Sequence, residues 1–155
     1  KVNGGKLHHV KPHGALYNMA AKDEVMAMAI DDAIVDMDLS VILYGLSGSE
    51  LIRAGKAKGL STCSEVFADR HYQDDGSLVP RTKPNALITH TNVAVTQVLR
   101  MIKEKIVISD QGNPVPIVAE TICIHGDGTH AVQFAKEIRE TLGVNGITIK
   151  AFGRA

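Results

Sequence analysis

Short apolar runs alternate with longer amphipathic segments along the chain, and this pattern predicts an α/β protein. Apolar runs bounded by Gly, Pro or polar residues predict strands at residues 7–10, 41–44, 61–67, 121–124 and 147–151. Apolar residues at helical spacing predict helices over residues 15–37 (one helix or two), 49–58, 92–105 and 129–142. The turn residues between 106–108 and 115–118 predict a hairpin.

This alternation is typical of a largely parallel sheet or of part of a (β/α) barrel. No repeat, low-complexity segment or linker interrupts it, so we predict a single domain over residues 1–155. The predicted strands make up much of a barrel without closing it. The remaining sheet edge would need pairing, a covering segment or a homo-oligomer.

Composition excludes several functional classes. The 155 residues carry 17 Lys+Arg and 17 Asp+Glu, a formal net charge of zero, which argues against a nucleic-acid or anionic-membrane surface. No apolar run approaches the roughly 18 residues of a membrane span, and no signal-peptide pattern is present. Cys63 and Cys123 lie in apolar runs outside any C-x-x-C pair, so we predict buried, reduced thiols and a cytoplasmic protein.

Most reactive side chains follow the predicted strands. In parallel α/β folds the carboxyl ends of the strands converge on the site. We therefore expect residues 11–14, 45–50, 65–70 and 125–130 to lie on one rim.

Lys11 and His13 follow the first predicted strand. Pro12 and Gly14 flank His13, so this histidine suits a general base or a metal ligand held with little freedom. The alternative is a histidine that caps the next helix. Lys11 suits a point charge for a substrate carboxylate, against the alternative of an ordinary solvated lysine.

Two further groups of candidates follow later strands. Glu65 and Asp69 form a carboxylate pair suited to acid–base catalysis, and Arg70 suits recognition of a carboxylate or amide, unless the three are structural ion pairs. His125 and Asp127 are close enough for one to orient the other, or for both to hold a divalent cation. Their alternative is a turn that caps the following helix.

Two polar segments are ambiguous. Ser47 and Ser49, on either side of Gly48, predict an anion site at a helix N-terminus or simple helix capping. The loop over residues 72–81 is long enough for a lid and equally suits a plain turn. No P-loop, G-x-G-x-x-G after a strand, H-E-x-x-H or paired-cysteine site occurs, so no recognisable loop of this chain binds a nucleotide.

Three long motifs closely resemble the lactam utilisation (LamB/YcsF) family. They are residues 10–18 (VKPHGALYN), then 65–70 with 72–81 (EVFADR, YQDDGSLVPR), then 123–127 with 130–132 (CIHGD, HAV). The resemblance covers essentially the whole chain. It implies a barrel-like fold of the glycoside hydrolase/deacetylase type, and places the family's motif residues at Lys11, His13, Glu65, Asp69, Arg70, His125 and Asp127.

The resemblance also implies a reaction. The family supplies one component, called A, of an enzyme that hydrolyses 5-oxo-L-proline to L-glutamate with ATP cleavage, together with separate B and C subunits. The site for ATP and its Mg²⁺ would be shared with those partner subunits. A second divalent metal could bind at His125 and Asp127. Chemically, Lys11 or Arg70 would hold the substrate carboxylate, and His13 or Glu65 would activate water. His125 and Asp127 would bind a divalent cation or direct the proton of the ring nitrogen.

The family's N-terminal motifs have no counterpart in this sequence. We therefore expect the chain to be the C-terminal part of a (β/α) barrel of about 250 residues that lacks the N-terminal strands. Such a chain holds only part of the site. Two alternatives stay open, namely a metal-dependent deacetylase-like hydrolase that needs no ATP and a non-catalytic subunit that binds a lactam or carboxylate.

Overall fold

Parallel strand pairs and the helices between them build the protein, as seen in a computed structural model that describes residues 4–126 and 131–153. The chain divides into two compact units, Lys1–Ser64 and Glu65–Ala155. The α/β class predicted from the sequence is confirmed. The barrel, the missing strands and the single domain stay predictions.

The first unit contains two complete strands, three helices and the start of a third strand. These are β1 (His9–Val10), α1 (Gly14–Ala20), α2 (Glu24–Met37), β2 (Ile42–Leu46), α3 (Glu50–Ala57) and β3 (Thr62–Phe67), which runs on into the second unit. β1 pairs in parallel with β2, with His9 opposite Ile42. Leu43 N–H donates to the Ser61 carbonyl at 2.8 Å, so the chain entering β3 lies beside β2.

The long apolar segment before β2 forms two helices. Asp23 separates them, because its side chain accepts a 3.0 Å hydrogen bond from Met26 N–H and caps α2. The inward faces of these helices join β2 and α3 in one core, made of Ala20, Ala27, Ile34, Val41, Leu43, Leu51, Ala54 and Leu60.

The second unit contains the end of β3, two helices, a hairpin and one more strand. After β3 these are α4 (Thr91–Lys103), β4 (Ile106–Ile108), β5 (Pro114–Pro116), β6 (Thr121–Cys123) and α5 (Ala131–Val144). β4 and β5 pair antiparallel, which confirms the predicted hairpin. β3 pairs in parallel with β6, with Phe67 opposite Cys123. The main core of this unit consists of Ala68, Val98, Ile138 and Leu142.

The predicted strand at residues 147–151 is wrong, because those residues have no strand structure. Ile147 N–H donates to the Leu142 carbonyl at 2.9 Å, after Gly146 takes a left-handed backbone with φ of 74°. Ile147, the first residue of the predicted strand, therefore makes a hydrogen bond that terminates α5. Both cysteines are free thiols, but only Cys63 is buried, whereas Cys123 is half-buried.

Within residues 4–126 and 131–153, no helix combines the length and the apolar character needed to cross a membrane.

Candidate functional site

The carboxyl ends of β3 and β6 bring two candidate residues together in the second unit. The parallel register sets Phe67 opposite Cys123, the last residues of the two strands. Asp69 and His125 each lie two residues beyond that point. Neighbouring parallel strands end at the same edge of a sheet, so side chains at matching positions beyond their ends can meet.

Asp69 holds His125 by two hydrogen bonds. Its Oδ2 accepts the His125 backbone N–H at 3.0 Å and lies 2.8 Å from the ring Nδ1. An ionised carboxylate only accepts hydrogen bonds, so when the ring is neutral this network assigns its proton to Nδ1 and leaves the lone pair on Nε2. The Phe67 ring stacks on the imidazole, with centroids 5.6 Å apart and planes 24° apart. The arrangement can present Nε2 as a base in a fixed orientation.

The second oxygen of Asp69 is an unusual feature of the site. Asp69 is only 9% exposed, and its Oδ1 is buried without a hydrogen-bond partner among residues 4–126 and 131–153. A buried acceptor without a donor is costly, and a catalytic role or a bound water or ion is among the reasons for which proteins keep one. The predicted candidate Asp69 is therefore placed in direct contact with His125, with one oxygen left to accept a further group.

Arg70 is buried, and its guanidinium bonds backbone carbonyls of the loop after β3. Its guanidinium donates from Nε to the Ala86 carbonyl at 3.1 Å and from Nη2 to the Val79 carbonyl at 2.6 Å. Arg70 is 4% exposed, and burial, with nearby Arg81, lowers the pKa of its guanidinium below the ordinary value. These contacts give Arg70 a structural role in the loop after β3, and its predicted grip on a substrate carboxylate stays a prediction.

The loop over residues 72–81 is anchored along its length. Asp75 accepts hydrogen bonds from the backbone N–H and the hydroxyl of Ser77, at 2.9 and 2.5 Å. Asp74 accepts the Ser109 hydroxyl and, at 3.1 Å, the Asn113 amide, both beside the hairpin. The contacts favour the turn interpretation of this segment over the lid.

Glu65 lies within β3 and is 4% exposed. Burial is the main cause that raises the pKa of the nearby Tyr72 phenol, and the charge of Glu65 adds to this shift. Tyr72 is fully buried, and its oxygen accepts the Phe67 backbone N–H at 2.8 Å. The catalytic role assigned to Glu65 stays a prediction.

Sequence reasoning missed Gln97, on α4. Its amide Nε2 donates toward three backbone carbonyls at the end of β3, those of Phe67, Ala68 and Arg70. In the sequence, Gln97 is a polar residue next to Val98, near the apolar face of an amphipathic helix. Polar residues at such positions are too common to mark a functional residue.

The remaining candidates lie in the first unit. Lys11 Nζ is 5.5 Å from the centroid of the Tyr17 ring. His13 occupies the N-cap position of α1 but makes no capping hydrogen bond, so the capping alternative is wrong for this exposed side chain. Ser49 does cap α3, by accepting Ile52 N–H at 3.3 Å. Ser47 is 7% exposed. Their roles toward a substrate stay predictions.

The predicted metal pair falls partly outside the described residues, because Asp127 lies in the range 127–130. Within residues 4–126 and 131–153, no group of three or more His, Cys, Asp or Glu side chains is arranged to hold a metal ion. The described residues therefore do not by themselves fit a metal centre, and no catalytic step below depends on one.

Comparison with known proteins gives one family and close relatives. The LamB/YcsF family model matches residues 1–155. The A subunit of 5-oxoprolinase from Shouchella clausii (strain KSM-K16) is 60% identical over 151 residues, covering 97% of this chain and 60% of that protein. The protein of the same name from Bacillus subtilis (strain 168) is 53% identical over 151 residues, 97% of this chain and 59% of that protein.

The crystal structure of the lactam utilization protein from Thermus thermophilus is similar in fold. It matches with a TM-score of 0.85 and 37% sequence identity, covering 97% of this chain and 60% of that chain. The chain thus spans about 60% of the length of the relatives that it matches.

Proposed function

We propose, because the chain belongs to the LamB/YcsF family, that it serves as the A subunit of an ATP-dependent 5-oxoprolinase. The observation that carries this proposal at the level of chemistry is the Asp69–His125 pair at the carboxyl ends of β3 and β6. Carboxyl ends of parallel strands are where α/β enzymes place their reactive groups. The relatives named for the same 5-oxoprolinase component support the choice of substrate.

In the proposed reaction, 5-oxo-L-proline is opened to L-glutamate. A lactam carbonyl is a poor electrophile because its amide is resonance-stabilised, so ATP activates it by phosphorylating the carbonyl oxygen. Water attacks the carbonyl carbon, the carbon–nitrogen bond breaks, and the ring nitrogen takes up a proton. A second water releases the phosphate, so the products are L-glutamate, ADP and phosphate.

His125 acts as the base for the attacking water. The Nδ1–H group donates a hydrogen bond to Asp69 Oδ2, so Nε2 is free to accept a proton from water. The buried Asp69 carboxylate stabilises the imidazolium that forms. The imidazolium can then return this proton to the ring nitrogen as it leaves.

Nucleotide binding is proposed to involve the partner B and C subunits. The absence of a recognisable phosphate-binding loop in this sequence supports that division. We further propose that the strand pairs belong to a (β/α) barrel of the glycoside hydrolase/deacetylase type, in a cytoplasmic protein. The likeness in fold to the lactam utilization protein supports the shared architecture.

The test compares two histidine variants of the chain, assayed with the B and C subunits for phosphate release that depends on 5-oxo-L-proline. We expect His125→Ala to lower turnover by about 100-fold or more, the usual contribution of a general base. His90→Ala is the control, because His90 is exposed and makes no capping hydrogen bond at the start of α4. Turnover retained in His125→Ala contradicts the assigned role. Hydrolysis without ATP, or binding without turnover, would favour the deacetylase-like or the non-catalytic alternative.

A further inference from the structure

Gln97 connects α4 to the segment that carries Asp69. Its Nε2 lies 3.1 Å from the Phe67 carbonyl oxygen, 3.0 Å from that of Arg70 and 3.4 Å from that of Ala68. These carbonyls come from the residues on both sides of Asp69. A single half-buried amide therefore spans the turn that begins where β3 ends.

The pairing of β3 with β6 ends at Phe67, so the carbonyl groups of the turn that follows need hydrogen-bond donors from other parts of the protein. The Asp69 carbonyl accepts Ile88 N–H at 2.9 Å, and Ala68 N–H donates to the Cys123 carbonyl at 3.1 Å. The Gln97 amide supplies donors to the neighbouring carbonyls. Without it, the direction in which the Asp69 side chain leaves the backbone would be less constrained.

The hydrogen bonds of Asp69 form only if the direction of its side chain is fixed. One carboxylate oxygen, Oδ2, must meet two donors of His125 together, at 3.0 and 2.8 Å. A hydrogen bond weakens steeply when its angle is lost, so a small rotation of the turn would break one of these contacts. The backbone at Asp69 therefore decides whether the ring proton of His125 is held on Nδ1.

We propose that Gln97 is a positioning residue for the Asp69–His125 pair. Its amide fixes the turn over residues 67–70, so that Asp69 selects the Nδ1-protonated tautomer of His125 and directs Nε2 outward as the base. The value of this tautomer for catalysis rests on the proposed function, whereas the tautomer itself does not. Groups that orient a functional histidine typically change activity by about 10- to 100-fold when removed.

The direct test is the tautomer of His125 in the chain, read from the ring ¹⁵N and ¹H NMR signals near pH 8.5, where an ordinary histidine is neutral. We expect the wild-type chain to show the Nδ1-protonated form alone. Gln97→Met keeps the side-chain length and removes the donors, so we expect a mixture of both tautomers. Gln133→Met is the matched control, because Gln133 is an exposed glutamine on α5 whose amide bonds Glu137 and does not bond the turn after β3. A single Nδ1-protonated form in Gln97→Met overturns the proposal.

A second measurement needs no variant and so does not depend on folding of Gln97→Met. We expect the side-chain amide protons of Gln97 to exchange with solvent about tenfold more slowly than those of Gln133 in the wild-type chain. Equal exchange rates overturn the proposal.

The two proposals fail separately. If His125→Ala retains turnover while Gln97→Met still mixes the tautomers, the catalytic role fails and the positioning role stands. If His125→Ala loses turnover and Gln97→Met keeps a single tautomer, the positioning role of Gln97 fails and the catalytic role of His125 stands. With both proposals correct, Gln97→Met lowers kcat by about tenfold and leaves KM nearly unchanged, because the base is misoriented while substrate contacts persist.

Discussion

Asp31 on α2 is a buried carboxylate outside the candidate site. It is fully buried, and neither of its oxygens has a hydrogen-bond partner among residues 4–126 and 131–153. Burial raises the pKa of Asp31 from 3.8 to about 6, with Lys58 opposing the shift and Asp32 adding to it. The charged form is therefore disfavoured in the folded protein, and Asp31 costs stability at neutral pH.

This burial predicts an unusual dependence of stability on pH. The folded-state pKa is raised, so the folded protein binds a proton more readily than the unfolded chain, and the Asp31 contribution to stability grows as pH falls through 6 toward 4. We compare the free energy of unfolding of wild type with that of Asp31→Asn by urea unfolding. We expect the difference to shift in favour of wild type by about 1 kcal/mol from pH 7 to pH 5. Asp36→Asn, on the exposed side of α2, should give no such trend. A difference between wild type and Asp31→Asn that is independent of pH would contradict the prediction.

The candidate site shows which residue-level properties are readable from a sequence. Asp69 and His125 are both predictable, since each follows an apolar strand. Their partnership is not, because it joins residues 56 positions apart and depends on the parallel register of β3 with β6. Sequence proximity pointed instead to Glu65 with Asp69 and to His125 with Asp127. Gln97 was missed because its acceptors are backbone carbonyls, which carry no residue-specific signal.

At the scale of elements, the apolar run at 41–44 correctly predicts β2, and the prediction at 61–67 is confirmed as β3 although Thr62, Ser64 and Glu65 interrupt its apolar residues. The segment after α5 has apolar residues at alternate positions, such as Ile147 and Ile149, and still forms no strand. A strand exists only with a paired neighbour, and alternation does not supply one. The ends of helices are easier to predict from neighbouring residues. Ser49, for example, caps α3 as its position in the sequence predicts.

Gly55 on α3 marks a close approach between a helix and a strand. A Cβ atom on Gly55 would lie 2.7 Å from Leu43 Cδ2 and 3.2 Å from Thr62 Cγ2. Leu43 is fully buried in the core and has little room to move. Alanine normally improves a helix by about 1 kcal/mol over glycine, but overpacking costs about 1 to 3 kcal/mol.

We therefore expect Gly55→Ala to lower the free energy of unfolding by about 1 kcal/mol, measured by chemical denaturation. Gly143→Ala on α5 is the matched control, because beyond its own helix backbone and chain neighbours no atom of the described residues lies within 4 Å of its added Cβ. That variant should gain up to about 1 kcal/mol. If both alanines stabilise the protein equally, the close packing at Gly55 is refuted.

Arg70 determines the order of the loop after β3. Its guanidinium bonds the carbonyls of Val79 and Ala86, and both of these residues are buried. Arg70→Met would leave the buried Val79 carbonyl without its donor, whereas the Ala86 carbonyl keeps the His71 N–H at 3.2 Å, so we expect a cost of about 1 to 3 kcal/mol. We expect a lower unfolding midpoint and faster trypsin cleavage after the exposed Arg81.

Arg139→Met is the control for Arg70→Met, because Arg139 is exposed on α5 in the same unit. It should leave both the midpoint and the cleavage rate unchanged. Equal behaviour of the two variants would show that the loop does not depend on the Arg70 hydrogen bonds.

At the scale of the whole molecule, the central question is how much of the proposed function this chain holds. It aligns with relatives over 97% of its own length but only about 60% of theirs. The Asp69–His125 pair, the Gln97 amide and the Arg70 anchor all lie within the second unit, Glu65–Ala155. The hydrogen bonds that orient the proposed histidine base are thus made within this unit, whereas the sequence contains no recognised phosphate-binding loop.

This division predicts that the chain alone binds the substrate without converting it. His125 Nε2 would accept a hydrogen bond from the attacking water and so hold it against the lactam, and calorimetry of the 155-residue chain with 5-oxo-L-proline, without ATP or partner subunits, should show binding and no glutamate. L-Proline keeps the ring and carboxylate but lacks the ring carbonyl, and it should bind more weakly. His125→Ala should weaken binding of 5-oxo-L-proline by about tenfold, the worth of one hydrogen bond of about 1.4 kcal/mol, and His90→Ala should not. Binding that His125→Ala leaves unchanged would place the lactam away from the Asp69–His125 pair, and glutamate formed by the chain alone would remove the need for partner subunits.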